Sequence, residues 1–244
     1  MSESMPSRVK FIDREGRRIE VAMNQITAAF PLNAIPDTLY HEMASAMDGD
    51  LDPADKVDIL WQSTCMKPTV CTYDPGLMFP INASTKIVRL TLTDHAIDDM
   101  IEEIEGEVLS FQGRPFEETI EERIDLYRRI FLDDSKIDRL RFGAVEMYGD
   151  ATYANIRRDP RVSITFQWRE PSASTHYSYQ ANCVAEIVFP GDPFYRFMRI
   201  LRPLFSSRFL DLRRSEYVCA YKFYVCEAKE KSLVSKLGFQ APEH

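Results

Sequence analysis

A chain of 244 residues, 45% hydrophobic and 28% charged, has room for one large core or two small ones, which excludes a disordered or fibrous protein. A net charge of −8 argues against general nucleic-acid binding, because displacing phosphate counterions needs cations. There is no apolar run of about 18 residues, and the opening MSESMPSRVKF lacks the apolar core of an export signal, so the expectation is a cytoplasmic protein with no membrane partner.

The five cysteines (Cys65, Cys71, Cys183, Cys219, Cys226) make no CxxC pair, and their odd number without an export signal predicts reduced thiols. The net charge hides an asymmetry. From Asp94 to Asp134 there are fourteen acidic residues and four arginines, whereas Tyr195–Arg214 holds six arginines and one aspartate. The simplest account makes each segment the wet side of an amphipathic helix, with the two free to face each other.

In chain order, VKFIDREGRRIEVAM (9–23) reads as a hairpin about the turn Asp13–Gly16. Pro36-Asp37 starts a short helix with Leu39, Met43 and Met47 on one face, and Asp52-Pro53 starts another with Val57, Leu60 and Trp61. The Pro- and Gly-rich stretch from Lys67 to Ser84 reads as loop. KIVRLTLT (86–93) has strand composition, and Asp94 is the expected cap of a helix striped with Ile97, Ile101, Ile104 and Val108. A second helix, with Ile120, Ile124, Tyr127 and Phe131 as its stripe, runs from Pro115 to about Leu132.

Beyond Leu140 the period drops to two. LRFGAVEMYG, VSITFQW and HYSYQANCVAEIVF each predict a strand with one buried face; Asp150 to Asp159 predicts a short helix capped by Asp150. Asp192-Pro193 opens a helix whose stripe is Phe194, Phe197, Met198, Leu201 and Leu204, with Arg196, Arg199 and Arg202 elsewhere. YVCAYKFYVCEA (217–228), apolar on both faces, suits a strand buried in an interior or interface.

This order of elements, with the string Asn155, Ile156, Arg157, Arg158, Asp159, Pro160, Arg161, Val162, Ser163, resembles the second half of the split-barrel flavoproteins, the pyridoxamine 5′-phosphate oxidase-like group. The resemblance covers about residues 139–230. It implies an α+β fold: an antiparallel split β-barrel with flanking helices over 87–236, an N-terminal extension (1–86) packing on the barrel, and a tail (237–244). It also implies FMN at the interface of a homodimer, since a similar segment in that family follows the strand and turn that hold the FMN phosphate. The chain departs from the pattern where many members carry a serine and a lysine or arginine, because Asp150 and Thr152 stand in the matching places. A carboxylate near a phosphate dianion weakens that grip. The first barrel hairpin is also displaced, and residues 9–23 are one candidate to supply it.

For such a cofactor the phosphate side would draw on Arg141, Thr152, Asn155, Arg157 and Arg158, and the ring side on Gln167, Trp168 and Tyr179. Arg157 and Arg158 have an equally simple role in solvating a helix C-terminus. The four histidines show no HxxxH or HExxH spacing, which predicts no metal centre; His176 is either a rim residue or, were haem bound in place of flavin, its ligand. Cys65 and Cys71 flank MKPTV with no activating base nearby, and read as structural. The tyrosines 177, 179, 217, 221 and 224 line a cavity or, more simply, an interface. The basic helix 193–208 has the residues for an anionic ligand, a membrane surface or a nucleic acid, but packing on the acidic helices needs fewer assumptions.

Two functions follow from this reading. One is an FMN-dependent oxidoreductase or flavin-binding protein acting on a small molecule. The other is a split-barrel binding protein for haem or another small ligand, without redox catalysis.

Overall fold

The computed structural model describes residues 8–23, 26–44, 65–131, 133–170, 175–202, 204 and 217–232. The expected helix at Asp52-Pro53, Met47, and the arginines at 208, 213 and 214 lie outside these residues. Strands β1 (Val9–Asp13), β2 (Arg18–Met23) and β3 (Ile26–Pro31) form a small antiparallel sheet, followed by helix α1 (Asp37–Ala44). The larger sheet uses β4 (Thr69–Tyr73), β5 (Ile81–Thr85), β6 (Val88–Leu92), β7 (Ile137–Glu146), β8 (Arg161–Glu170), β9 (Thr175–Val188) and β10 (Cys219–Glu230). Helices α2 (Asp94–Ser110) and α3 (Phe116–Phe131) come between β6 and β7, α4 (Ala151–Arg158) between β7 and β8, and α5 (Pro193–Leu201) between β9 and β10.

The order of the large sheet, β5-β4-β8-β9-β10-β7-β6, with every pairing antiparallel, dictates its shape. Its two edge strands are joined through Lys86 and Ile87 alone. Laid flat, seven strands at about 4.8 Å spacing would hold their edges ~29 Å apart, whereas three consecutive Cα–Cα steps span at most about 11 Å. The sheet therefore curls until its edges meet. The edges are not paired with each other, and the chain at 66–68 bridges the seam: Lys86 N donates to Pro68 O and Val88 N to Met66 O, both at 3.2 Å. This is a barrel split along one side, as the α+β split-barrel expectation requires.

The period-two strands fill the barrel in rows. Phe223 faces Ala185 and Phe142, and Phe142 faces Leu90; Tyr221 faces Ala144, which faces Val88. These side chains are essentially inaccessible, and the Phe142 and Phe166 rings meet at 5.0 Å. On the opposite face, Arg89, Gly143, Lys222 and Glu186 form an outer row. Here α5 presses on the sheet so closely that a Cβ at Gly143 would stand 2.6 Å from Met198 Sδ and 2.7 Å from Thr91 Cγ2. A larger residue there would have to displace Thr91 and the end of Met198. The small sheet packs Ile19, Val21 and Leu32 on Leu140, Val184, Tyr224 and Cys226, and Asn33 bonds the carbonyls of Val225 and Cys226 at the bulge in β10.

Several local expectations need correction. The presumed loop from Lys67 to Ser84 holds the hairpin β4–β5, whose turn is closed by Asp74 N donating to Pro80 O at 2.8 Å. That hairpin supplies the barrel's early strands; residues 9–23 belong to the separate small sheet. Two barrel strands thus precede residue 86. Thr93, not Asp94, caps α2, its Oγ1 accepting from Ala96 N, while Asp192 caps α5 as expected. Arg196 on α5 reaches Glu102 and Glu105 on α2 at 2.7 and 2.5 Å, so the basic helix does pack on the acidic one. The tyrosines at 217, 221 and 224 are buried inside the chain and form no surface patch. The cysteines form no disulfide, and among the described residues no helix is long and apolar enough to cross a membrane.

Candidate functional site: a cleft at the barrel seam

The seam opens into a cleft of about 510 Å³, lined by Lys67, Lys86, Tyr148, Asp150, Thr152 and Arg202 among others. This volume is of the size that holds small molecules and cofactors. Its floor is a buried ion pair, Lys86 Nζ to Glu146 Oε2 at 2.7 Å. Glu146 also accepts from Tyr221 OH at 3.0 Å and from the backbone amides of Tyr148 and Gly149 at 3.1 and 3.3 Å. The turn that aims those amides requires φ of +70° at Gly149, which glycine tolerates. Burial pushes the Glu146 carboxyl up, but the Lys86 hydrogen bond and charge, with the other donors, leave it below its usual value. Burial and neighbouring negative groups raise the Tyr221 hydroxyl far above its usual range, so it remains a donor.

One wall of the cleft is the N-terminus of α4. Asp150 occupies the N-cap position but its side chain bonds none of the helix amides, so the first-turn N–H groups have no side-chain cap. Asp150, Ala151 and Thr152 all border the cleft, which places the positive end of the helix dipole on it. Thr152 Oγ1 is 3.2 Å from Asn82 Nδ2 and 3.0 Å from Ser84 Oγ on β5, which gives the wall a cluster of hydroxyl and amide groups.

The other phosphate-side candidates serve elsewhere. Asn155 is buried and donates to Thr72 Oγ1 at 3.1 Å, locking α4 to β4. Arg158 pairs with Asp74, Arg157 lies 5.5 Å over the Tyr153 ring, and Arg161 pairs with Asp159. The quoted string thus works as a joint between helix and strand. Arg141 sits at the far side of β7, fully buried under the Phe194 ring and bonded to Thr91, Leu92 O and Asp94, with Asp138 at 3.2 Å. The seam cleft does not include it.

Gln167, Trp168 and His176 share a second cleft, about 650 Å³, toward the turn end of the β8–β9 hairpin, with Arg169, Tyr177 and Lys231. The Trp168 ring stacks on Tyr177 at 5.0 Å and on Tyr179 at 5.8 Å. Tyr179 is buried behind it. Within one chain, therefore, Thr152 is the one phosphate-side candidate that lines the seam cleft, while Gln167 and Trp168 of the ring side line the other.

Lys67, Asn82, Ser84, Lys86 and Glu146 were not among the sequence candidates, whereas Tyr221 was, as one of the tyrosines expected at a cavity or an interface. One signal was available: Glu146 is a carboxylate set in the otherwise apolar run FGAVEMY, and such a residue needs a cation close by. Among the described residues no nucleophile and base are paired in the seam cleft; the Cys65 thiol is buried and pushed up, chiefly by desolvation. The cleft joins cationic side chains and a helix N-terminus to a polar rim, a lining suited to an anion. Among the described residues no group of histidine, cysteine and carboxylate side chains has metal-binding geometry.

No family model matches this chain, and no curated protein matches it. Fifteen solved chains are similar in course. They include an FMN-binding protein from Syntrophomonas wolfei (9% identity, 80% of this chain and 88% of that one, TM-score 0.40) and HupZ from Group A Streptococcus (15%, 76% and 96%, 0.39). A third is an FAD-binding protein from Mesorhizobium loti (10%, 74% and 92%, 0.39). These are distant likenesses, and the ligands in those names belong to those proteins.

Proposed function

We propose that this chain is a flavin-binding split-barrel protein that takes FMN in the seam cleft and acts as a homodimer in small-molecule redox chemistry. The observation that carries the reading is the meeting, at the barrel split, of the uncapped N-terminus of α4 with Lys67, Lys86 and hydroxyl donors. The donor set fits a phosphate monoester: first-turn amides, Thr152, Ser84, and a positive balance of Lys67, Lys86 and Arg202 over Glu146 and Asp150. Bound FMN would supply electron or hydride transfer. The residues of this chain bind its phosphate end and exclude water from the floor, where Glu146 has its own partners.

Asp150 opposes this binding, which yields a direct test. Asp150→Ser removes a negative charge from the cleft wall and adds a hydroxyl cap; one charge at about 6–8 Å in an effective dielectric of ~40 is worth roughly 1–1.4 kcal/mol. The FMN dissociation constant is expected to fall about tenfold in fluorescence titration. An unchanged or weaker affinity would place the phosphate elsewhere.

Dimerisation is supported by the β4–β5 hairpin, where Met78 and Phe79 are 91% and 81% exposed beside Leu77 and Ile81, an apolar group unusual for a free surface. A second copy would bring Gln167 and Trp168 of the partner subunit to the flavin ring. Phe79→Asp is expected to shift sedimentation velocity from dimer toward monomer; an unchanged mass would exclude this hairpin as the interface.

The hairpin cleft favours a second reading. His176 and the stacked Trp168 and Tyr177 are equipped for a planar ligand such as haem, without flavin. A Soret band lost in His176→Ala would support it.

A further inference from the structure

We propose that Arg89 anchors a binding site for a small oxyanion of the phosphate class, on the outer wall of the barrel beside the seam; it shares Lys67 and Arg202 with the cleft proposed for the flavin phosphate but draws on neither α4 nor Lys86. Arg89 lies on the outer row of β6, opposite Gly143, and is 8% exposed. Its Nη1 is buried with no hydrogen-bond partner, and among the described residues no carboxylate pairs with it.

Other buried arginines of the chain differ. Arg141 has Thr91, Leu92 O, Asp94 and Asp138, and Arg123 donates to Thr119 and to the carbonyl of Leu204 while lying between the rings of Phe111 and Phe116. The groups whose charge Arg89 senses are Arg202, of the same sign, and the Tyr127 hydroxyl and Cys65 thiol. Burial alone lowers the Lys67 ammonium, and Arg89 and Arg202 lower it further. Lys67 and Arg202 both line the seam cleft, so the cluster runs from the cleft rim inward to Arg89.

A guanidinium cannot escape burial by losing its proton. An uncompensated buried cation facing two more cations is unfavourable, and an anion reverses all three repulsions at once. The planar fork of arginine matches the oxygens of phosphate bidentately, and three cations suit a dianion better than a chloride.

The test is thermal melting of the full chain, purified without phosphate, with inorganic phosphate titrated against sodium chloride at equal ionic strength. Phosphate is expected to raise Tm saturably, by about 5 °C. Arg89→Met should abolish the phosphate-specific rise and Thr152→Val, in the flavin cleft, should retain it. A wild type that responds equally to both salts overturns the proposal, as does a rise that survives Arg89→Met or disappears with Thr152→Val. Should Arg89→Met fail to fold, Arg89→Lys carries the same test, since it keeps the charge and loses the fork: a weakened response supports the site and an unchanged one overturns it. FMN titration of the same samples separates the two readings, since absence of flavin binding with an intact phosphate response removes the flavin and leaves this site.

Discussion

Arg141→Met is expected to lower the free energy of unfolding by about 3–5 kcal/mol, because it breaks a buried ionic network from its centre. Arg141 is inaccessible and Asp138 is 2% exposed, so removing the guanidinium strips a buried carboxylate of one of its cations. Arg14, at 2.6 Å from Asp138, keeps part of the pairing, and methionine preserves much of the stem against Phe194. Urea denaturation measures the effect. A loss below about 1 kcal/mol would mean that the network adds little and that Arg141 is retained for another purpose.

The same network carries a pH signature. Burial pushes the Asp94 carboxyl up, but hydrogen bonds and charge from Arg141 and Lys222 outweigh this and bring it from 3.8 to about 2. A depressed folded value means the contribution is present above the unfolded value and is lost as pH falls through the folded one. The urea-midpoint gap between wild type and Arg141→Met should therefore be full at neutral pH and narrow from about pH 4 toward pH 2.

The second large effect concerns the cleft. Lys86→Met is expected to weaken FMN binding by about a hundredfold or more, roughly 3 kcal/mol, because one substitution removes a cation and unmasks an anion. Glu146 lies directly beneath Lys86 and is held ionised chiefly by it against the cost of burial. The double variant Lys86→Met with Glu146→Gln removes the unmasked charge while keeping acceptors and donors on the same stem, and should recover most of the loss. If the double variant binds no better than the single one, Lys86 acts by direct contact and the exposed charge is not the cause.

How much of this was legible in the sequence depended on whether a signal was local. The helix stripes of α2 and α3, the alternation in β8 and β9, the Asp192 cap and the Asn155–Ser163 joint all declare themselves within a few residues. The β4–β5 hairpin did not, because INAST has a single large apolar residue and the breakers Asp74-Pro75-Gly76 and Pro80 dominate its neighbourhood. Closure of the barrel was hidden for the same reason, since it depends on β5 and β6 being adjacent in sequence yet at opposite edges of the sheet. Arg141 was misplaced because strand parity gives a face but not what covers it. Here α5, arriving from farther along the chain, seals that face with Phe194, 53 residues after Arg141. The pairing of Lys86 with Glu146 spans 60 residues, beyond any local pattern.

Whether the seam cleft holds a flavin is tested most directly by the visible absorption spectrum of the purified, untagged protein, taken before and after incubation with FMN and then haem and removal of the excess. Retained paired bands in the near-ultraviolet and blue, near one FMN per chain and lost with Lys86→Met, are the predicted result. A colourless protein that retains neither, or a lone Soret band that depends on His176, would contradict it.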